Sequence, residues 1–187
     1  EESYEKLILS PGAAPIKPPI PGVDLPGVFT LRNLEDVDRI KAAMNGKISR
    51  ALIVGAGFIG LELAENLTRQ GIAATVVELQ NQVLPPLDPE MTTPIADELR
   101  ANGVTLILGD SAEQFERAKT GGLTTTLKSG RVIEADLVLL CVGVRPENTL
   151  AKEAGLAVGE RGGIKVDDKL QTDDPDIYAV GDAIEVT

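Results

Sequence analysis

Six residues, Gly55-Ala56-Gly57-Phe58-Ile59-Gly60, form a G-x-G-x-x-G pattern directly after the apolar run Ala51-Leu52-Ile53-Val54 and directly before a segment of helical spacing. A turn of this kind can hold a pyrophosphate. Gly55 permits the tight change from strand to helix, Gly57 has no Cβ to block the phosphates, and Gly60 lets the helix pack closely on the strands. The helix opening at Phe58 and Ile59 offers unpaired N–H groups and a partial positive charge to the ligand. Short glycine patterns also arise by chance, so the context matters. A second apolar run ends in Glu78, 23 residues after the first glycine, near the ~20 expected of an acid that accepts hydrogen bonds from the adenosine ribose. That carboxylate would repel a 2′-phosphate, which favours NAD(H) over NADP(H). Two other readings of these residues stay open: a glycine-rich turn with no ligand and an exposed Glu78, or a turn that holds FAD.

Positioning such a turn requires parallel strands joined by helices, and the surrounding pattern supplies them. Ile59, Leu63 and Leu67, flanked by Gly60 and Ala64, give an apolar face that ends at Gly71. Residues 73–77 read as a strand closed by Glu78, residues 88–101 as a helix with Ile95 and Leu99 inward and Gly103 after its end, and residues 104–108 as a third strand. This is βαβαβ. Before it, Leu34, Val37, Ile40 and Met44 predict a helix of about three turns, with Asn33 as its cap and Gly46 as its stop. A short strand over residues 6–10 leads to Pro11-Gly12, and the prolines at 15, 18, 19, 21 and 26 predict an extended linker over residues 11–28. After the βαβαβ unit the turns Gly121-Gly122 and Ser129-Gly130 bracket residues 123–128, and with Arg131-Val132-Ile133 following they read as an antiparallel meander. A buried strand over residues 135–142 ends at Gly143, and residues 145–176 are rich in Gly, Asp and Pro, with weak strand signals at 164–166 and 177–180. The fold class is therefore α/β: a Rossmann-like parallel sheet with an added meander.

The composition agrees. In 187 residues, 43% hydrophobic and only 3% aromatic, a core must be built from Val, Ile, Leu and Ala, the residues of buried parallel strands. A net charge of −11 without a basic cluster argues against nucleic acid and anionic lipid as partners, and no run of ~18 apolar residues is long enough to span a bilayer. With no histidine and one cysteine, Cys141, no metal site can be assembled. Cys141 lies inside an apolar strand and reads as a buried structural thiol; the lack of a disulfide framework fits the cytoplasm.

Four ordered stretches carry a resemblance that covers essentially the whole chain: Tyr4-Glu5-Lys6-Leu7-Ile8-Leu9-Ser10-Pro11-Gly12-Ala13; the glycine turn continued to Glu62, with Glu65; Leu139-Leu140-Cys141-Val142-Gly143-Val144-Arg145-Pro146; and residues 172–182, ending Ile177-Tyr178-Ala179-Val180-Gly181-Asp182. The sequence resembles the pyridine nucleotide-disulfide oxidoreductases, flavoproteins in which an NAD(P)-binding domain is inserted into an FAD-binding domain. The resemblance implies an FAD-domain strip and linker over residues 1–27, an NAD(P)-binding domain over 28–144, and a linker with the returning FAD-domain strip over 145–187. It implies that Val142 and Gly143 lie beside the nicotinamide half of the cofactor, and that Glu62 stands near nicotinamide and flavin; otherwise Glu62 is a helix-surface residue complementing the helix dipole. Gly12, Gly181 and Asp182 would contact FAD, Asp182 through the ribityl chain. Ser10-Pro11-Gly12-Ala13, Leu31-Arg32-Asn33 and Val83-Leu84-Pro85-Pro86-Leu87-Asp88 are most similar to the coenzyme A disulfide reductase, NADH oxidase and persulfide reductase branch.

The family's first FAD-binding glycine motif, its redox-active cysteine region and its C-terminal dimerisation domain have no counterpart here. The chain accordingly reads as an excised piece of a homodimeric parent, without catalytic residues of its own and inactive alone. Within the parent, hydride would pass from NAD(P)H to FAD and electrons then to a disulfide, a persulfide or oxygen. A stand-alone nucleotide-binding sensor module is the competing expectation, but it has no use for a flavin-ribityl aspartate at 182. A flavin-free NAD-dependent dehydrogenase would need a substrate domain and a base, and neither is visible.

Overall fold

Apolar runs with no polar position cannot leave either face of a strand in water, so they must lie in the middle of three layers. The computed structural model, which describes residues 2–45, 48–119 and 121–186, has this arrangement. In chain order its elements are β1 (Leu7–Leu9), β2 (Ala13–Pro15), β3 (Val28–Thr30), α1 (Leu34–Met44), β4 (Arg50–Val54), α2 (Phe58–Arg69), β5 (Ala73–Glu78), α3 (Pro89–Ala101) and β6 (Thr105–Leu108). There follow β7 (Ala112–Arg117), β8 (Leu123–Leu127), β9 (Val132–Ala135), β10 (Leu137–Leu140), β11 (Val144–Pro146), α4 (Thr149–Glu153), β12 (Ile164–Val166), β13 (Ile177–Ala179), a 3₁₀ turn (Gly181–Ala183) and β14 (Ile184–Val186). By contacts the chain divides into two compact units: Pro15–Gly143, and the residues up to Ala14 together with those from Val144 onward.

The Pro15–Gly143 unit is built on a five-stranded sheet of order β3-β10-β4-β5-β6 in which every pair is parallel. Alternate side chains enter opposite cores. Ala51, Ile53, Ala74, Val76, Leu137 and Leu139 pack with Ile40, Ala64, Leu67 and Ala96 of the helices. Leu52, Val54, Val77, Val138 and Leu140 pack with Phe115, Leu123, Leu127 and Ala135 of the antiparallel meander β7-β8-β9. The helix spanning 34–44 has the expected Asn33 cap, whose side chain accepts from the Asp36 N–H at 3.0 Å, completed as a capping box by Asp36. It ends at Met44 with Asn45 as C-cap; Gly46, expected to stop it, lies outside the described residues.

Several details differ from the sequence expectation. Residues 15–27 are not a free linker: Ile20, Val23 and Leu25 pack on the meander-side core, the Phe115 N–H donates to the Pro21 carbonyl at 2.9 Å, and Gly22 passes so close that a Cβ would overlap the Phe115 carbonyl. The apolar face of α2 is Gly60, Ala64 and Leu67, with Leu63 half-buried, while Ile59 is exposed; in α3, Thr92 and Ala96 are buried and Ile95 and Leu99 only half-buried. The strand expected over 135–142 is broken at Asp136. One of its carboxylate oxygens accepts from the Ser49 and Arg50 N–H groups at 2.8 and 2.9 Å, and against the opposing effect of burial these bonds hold its carboxyl below the usual range. Asp136 thus fastens the start of β4 to that of β10.

The second unit, taken by itself, contains the parallel pairs β1-β13 and β12-β14, around a core of Ala151, Leu156, Ile164, Val166, Ile177, Ala179 and Ala183. The strand signals at 164–166 and 177–180 are realised, and a short helix, α4, lies between them and β11.

Candidate functional site

In a parallel sheet all carboxyl ends share one edge, and ligands bind where neighbouring strands send their connections to opposite sides. Here β4 leads to β5 and β6 on one side, while its other neighbour, β10, is reached only after the meander. The switch point thus falls at the carboxyl ends of β4 and β10, at Val54 and Leu140, and residues 55–60 and 141–143 follow those ends. Gly55 has φ +106°, donates its N–H to the Val77 carbonyl at 2.8 Å, and lies against β10 so closely that a Cβ would overlap the Cys141 carbonyl oxygen. Only glycine fits there. A Cβ at Gly60 would overlap the Gly55 carbonyl oxygen, so this residue sets how closely α2 approaches the turn.

Gly57 behaves differently. Its backbone is extended (φ −78°, ψ −175°), a conformation open to any residue, and a Cβ there would meet nothing within 4 Å. Among the described residues no contact calls for glycine at this position. Gly57 caps α2 without a side-chain hydrogen bond, and the first turn of α2 carries no acidic residue, unlike those of α1 and α3. The opening N–H groups of α2 thus keep their partial positive charge for an anion. Phe58 and Ile59 flank them, 65% and 42% exposed.

Glu78, at the end of β5, is 8% exposed. One carboxylate oxygen accepts from the Ala56 N–H at 2.8 Å and the other from the Gln80 N–H at 2.8 Å. The Ala56 carbonyl accepts from the Leu84 N–H at 2.9 Å, with Leu84 held at φ +46°, a region a leucine rarely enters. The parts that Ala56, Gln80 and Leu84 play in these bonds escaped the sequence reading: a motif's "x" position and a left-handed leucine leave no compositional signal. On the other border, Val142 is 37% exposed, and Gly143, φ +105°, accepts from the Ile16 N–H at 3.0 Å. Cys141, expected to be buried, is only half-buried, and desolvation pushes its thiol up to about 12. Glu62 is exposed and lines an apolar groove of about 620 Å³ between α2 and α3, with Phe58, Leu61, Leu84, Ile95 and Leu99.

In the second unit, the parallel register Leu9↔Ala179 and the 3.0 Å bond from the Val180 N–H to the Leu9 carbonyl set the ends of β1 and β13 side by side. Gly12 and Gly181 follow these ends. Both have φ near +75° (+74° and +78°), a Cβ on either would meet nothing within 4 Å, and Asp182 beside them is exposed. These residues leave room for a ligand at that end. Among the described residues no group of three or more carboxylate or thiol side chains could hold a metal ion, and no helix is long and apolar enough to cross a membrane.

A five-stranded parallel sheet with a glycine turn at its switch point defines a dinucleotide-binding class of fold. The sequence matches the pyridine nucleotide-disulphide oxidoreductase family over residues 1–187, and the chain belongs to that family. It is 39% identical over its whole length to an NADH oxidase of Methanocaldococcus jannaschii, covering 41% of that protein, and 37% identical over 97% of its length to a coenzyme A disulfide reductase of Staphylococcus aureus, covering 40%. Among solved structures it superposes with a TM-score of 0.92 on the reduced Bacillus anthracis CoADR-RHD, at 50% identity over 98% of this chain and 33% of that one. It also superposes, with a TM-score of 0.90 and 34% identity over 98% of this chain and 40% of the other, on an engineered water-forming NADPH oxidase bound to NADPH, a mutant of the Lactobacillus brevis NADH oxidase. These relatives are oxidoreductases, and the chain spans about 40% of the length of the two enzymes first named.

Proposed function

We propose that Pro15–Gly143 is the NAD(H)-binding domain of an FAD-dependent oxidoreductase, and that the flanking strips belong to its FAD-binding domain. The observation that carries this reading is the contrast among the three motif glycines. Gly55 and Gly60 are demanded by backbone atoms of the chain itself, whereas a Cβ at Gly57 would meet no described atom within 4 Å and stands at the start of α2, whose first turn has neither a side-chain cap nor an acidic residue. A pyrophosphate satisfies both features. Phe58, Ile59, Val142 and Gly143 then border the bound dinucleotide, with Glu62 further along α2. Gly12, Gly181 and Asp182 are assigned to FAD; their open positions favour a flavoprotein over a sensor module that never meets flavin. NADH supplies a hydride when bound, and in the parent the acceptor chain ends at a disulfide such as coenzyme A disulfide, a persulfide or oxygen.

NAD is preferred to NADP because of Glu78. Each carboxylate oxygen has one backbone donor and keeps a further acceptor site for ribose hydroxyls. A 2′-phosphate placed about 5 Å from that carboxylate would be repelled by roughly 3 kcal/mol per pair of unit charges at an effective dielectric of 20. The engineered NADPH oxidase supports the assignment. Its substitutions replace a glycine, an aspartate eighteen residues later, the two residues after that aspartate, and a proline seven residues beyond it. In this chain Gly60, Glu78, Leu79, Gln80 and Pro85 have the same residue classes at both ends and the same spacing. Calorimetric titration tests the preference: NADH is expected to bind at least about tenfold more tightly than NADPH, a difference of about 1.4 kcal/mol. Equal affinities would remove the discriminating role from Glu78.

A further inference from the structure

We propose that Glu78 is also a positioning residue for the pyrophosphate-binding turn, so that it governs affinity for the diphosphate portion of a nucleotide independently of the ribose. This rests on the nucleotide-binding reading above and adds a second role for its acidic residue. The turn has no side chain of its own with which to hold its shape: two of its first three residues are glycine, and the third is alanine. Its central peptide groups are held instead from the end of β5 and the segment that follows it. Glu78 accepts from the Ala56 N–H at 2.8 Å with one oxygen and from the Gln80 N–H at 2.8 Å with the other, while the Leu84 N–H donates to the Ala56 carbonyl at 2.9 Å. Val83, fully buried, anchors this segment in the helix-side core. Ala56 is thereby gripped at both its N–H and its C=O.

The carboxylate and its bond to the Ala56 N–H are buried, so that N–H would be left unsatisfied without its acceptor, whereas the bond to the Gln80 N–H is only part-buried. Loss of the acid would free the Gly55–Ala56 peptide and leave the Ala56–Gly57 peptide held by the Leu84 bond alone. The N–H groups of Gly57 and of the first residues of α2 would then lose the direction in which they meet a phosphate. A residue acting only on ribose would leave diphosphate binding intact; a residue that holds the turn would not. Replacing the acid to change cofactor choice should therefore cost affinity for every dinucleotide unless the turn is held another way.

The test compares ADP with 2′,3′-dideoxy-ADP, which keeps the diphosphate but lacks both ribose hydroxyls. Each is titrated into the wild-type chain, Glu78→Ala and Glu78→Gln, with amide signals of the turn followed by NMR. Removal of the acid is expected to weaken dideoxy-ADP by at least about fivefold in Glu78→Ala and to speed exchange of the Ala56 amide by about tenfold or more. Glu78→Gln keeps the side-chain volume and one acceptor oxygen, so it serves if Glu78→Ala does not fold. It is expected to weaken dideoxy-ADP by about threefold or more, because its NH₂ group cannot accept from the second N–H. Unchanged dideoxy-ADP affinity in a folded Glu78 variant, with ADP alone weakened, would confine Glu78 to ribose recognition and overturn the inference. Failure of the wild-type chain to bind ADP would overturn the nucleotide-site reading itself, and this inference with it.

Discussion

Gly57→Val is expected to leave the chain folded and to weaken NADH binding at least tenfold, about 1.4 kcal/mol. The backbone at Gly57 already has the extended conformation a β-branched residue prefers, and a Cβ there touches no atom of the chain within 4 Å. The stability cost is confined to the helix N-cap, where valine is poorer than glycine by about 1 kcal/mol, or a melting temperature lower by roughly 2–4 °C in a chain of this size. The two γ-carbons would stand at the mouth of α2 where the phosphates must approach, and they offer no donor in exchange. Calorimetry with NADH and a thermal melt on the same preparation separate the two effects. A variant that binds normally would show that the open space at Gly57 serves no ligand, and one that fails to fold would show that glycine is needed there for packing.

Gly55→Ala is expected to act the other way, through stability first. At φ +106° an alanine is strained by about 1–3 kcal/mol, and its Cβ would be driven into the Cys141 carbonyl and lie 2.7 Å from the Cys141 carbonyl carbon, between the ends of β4 and β10. Relief requires those adjacent strands to separate, at an overpacking cost of about 1–3 kcal/mol more. The sum, roughly 2–6 kcal/mol, corresponds to a melting temperature lower by roughly 4–24 °C. Binding of NADH falls with it, because the switch-point crevice is bounded by the strands that move. Wild-type thermal stability in Gly55→Ala would contradict the packing described here. Two substitutions two residues apart in one motif thus have opposite signatures: one leaves the fold and removes the ligand, the other damages the fold.

The parallel sheet was legible in the sequence because its strands are buried on both faces, and Ala51-Leu52-Ile53-Val54 has no polar position to misread. The glycine turn was legible because three glycines and a distant acid carry their mechanical roles in their types and spacing. Three-residue strands were harder: Val28–Thr30 follows a proline-rich stretch, offers too few positions to show a period, and owes its place to pairing with Leu137–Leu140, more than 100 residues away. The helix Thr149–Glu153 is too short to display an apolar face. Residues 15–27 read as a linker because proline forbids helix there, but proline does not forbid packing, and Ile20, Val23 and Leu25 cover the meander. In the candidate site, the identity of Glu78 could be read, but its grip on Ala56 could not. That contact depends on the strand register that sets Val54 beside Val77, and only then does the carboxylate reach the turn.

The central claim, that a dinucleotide lies across the carboxyl edge of the sheet at its switch point, is tested most directly by titrating NADH into the isotope-labelled chain and mapping the amide signals that move. The largest shifts are expected at Gly57, Phe58, Ile59 and Gly60, with further shifts from Glu78 to Gln80 and at Val142 and Gly143, all saturating with one affinity. Shifts confined to the apolar groove between α2 and α3, or no saturable shift at all, would contradict it.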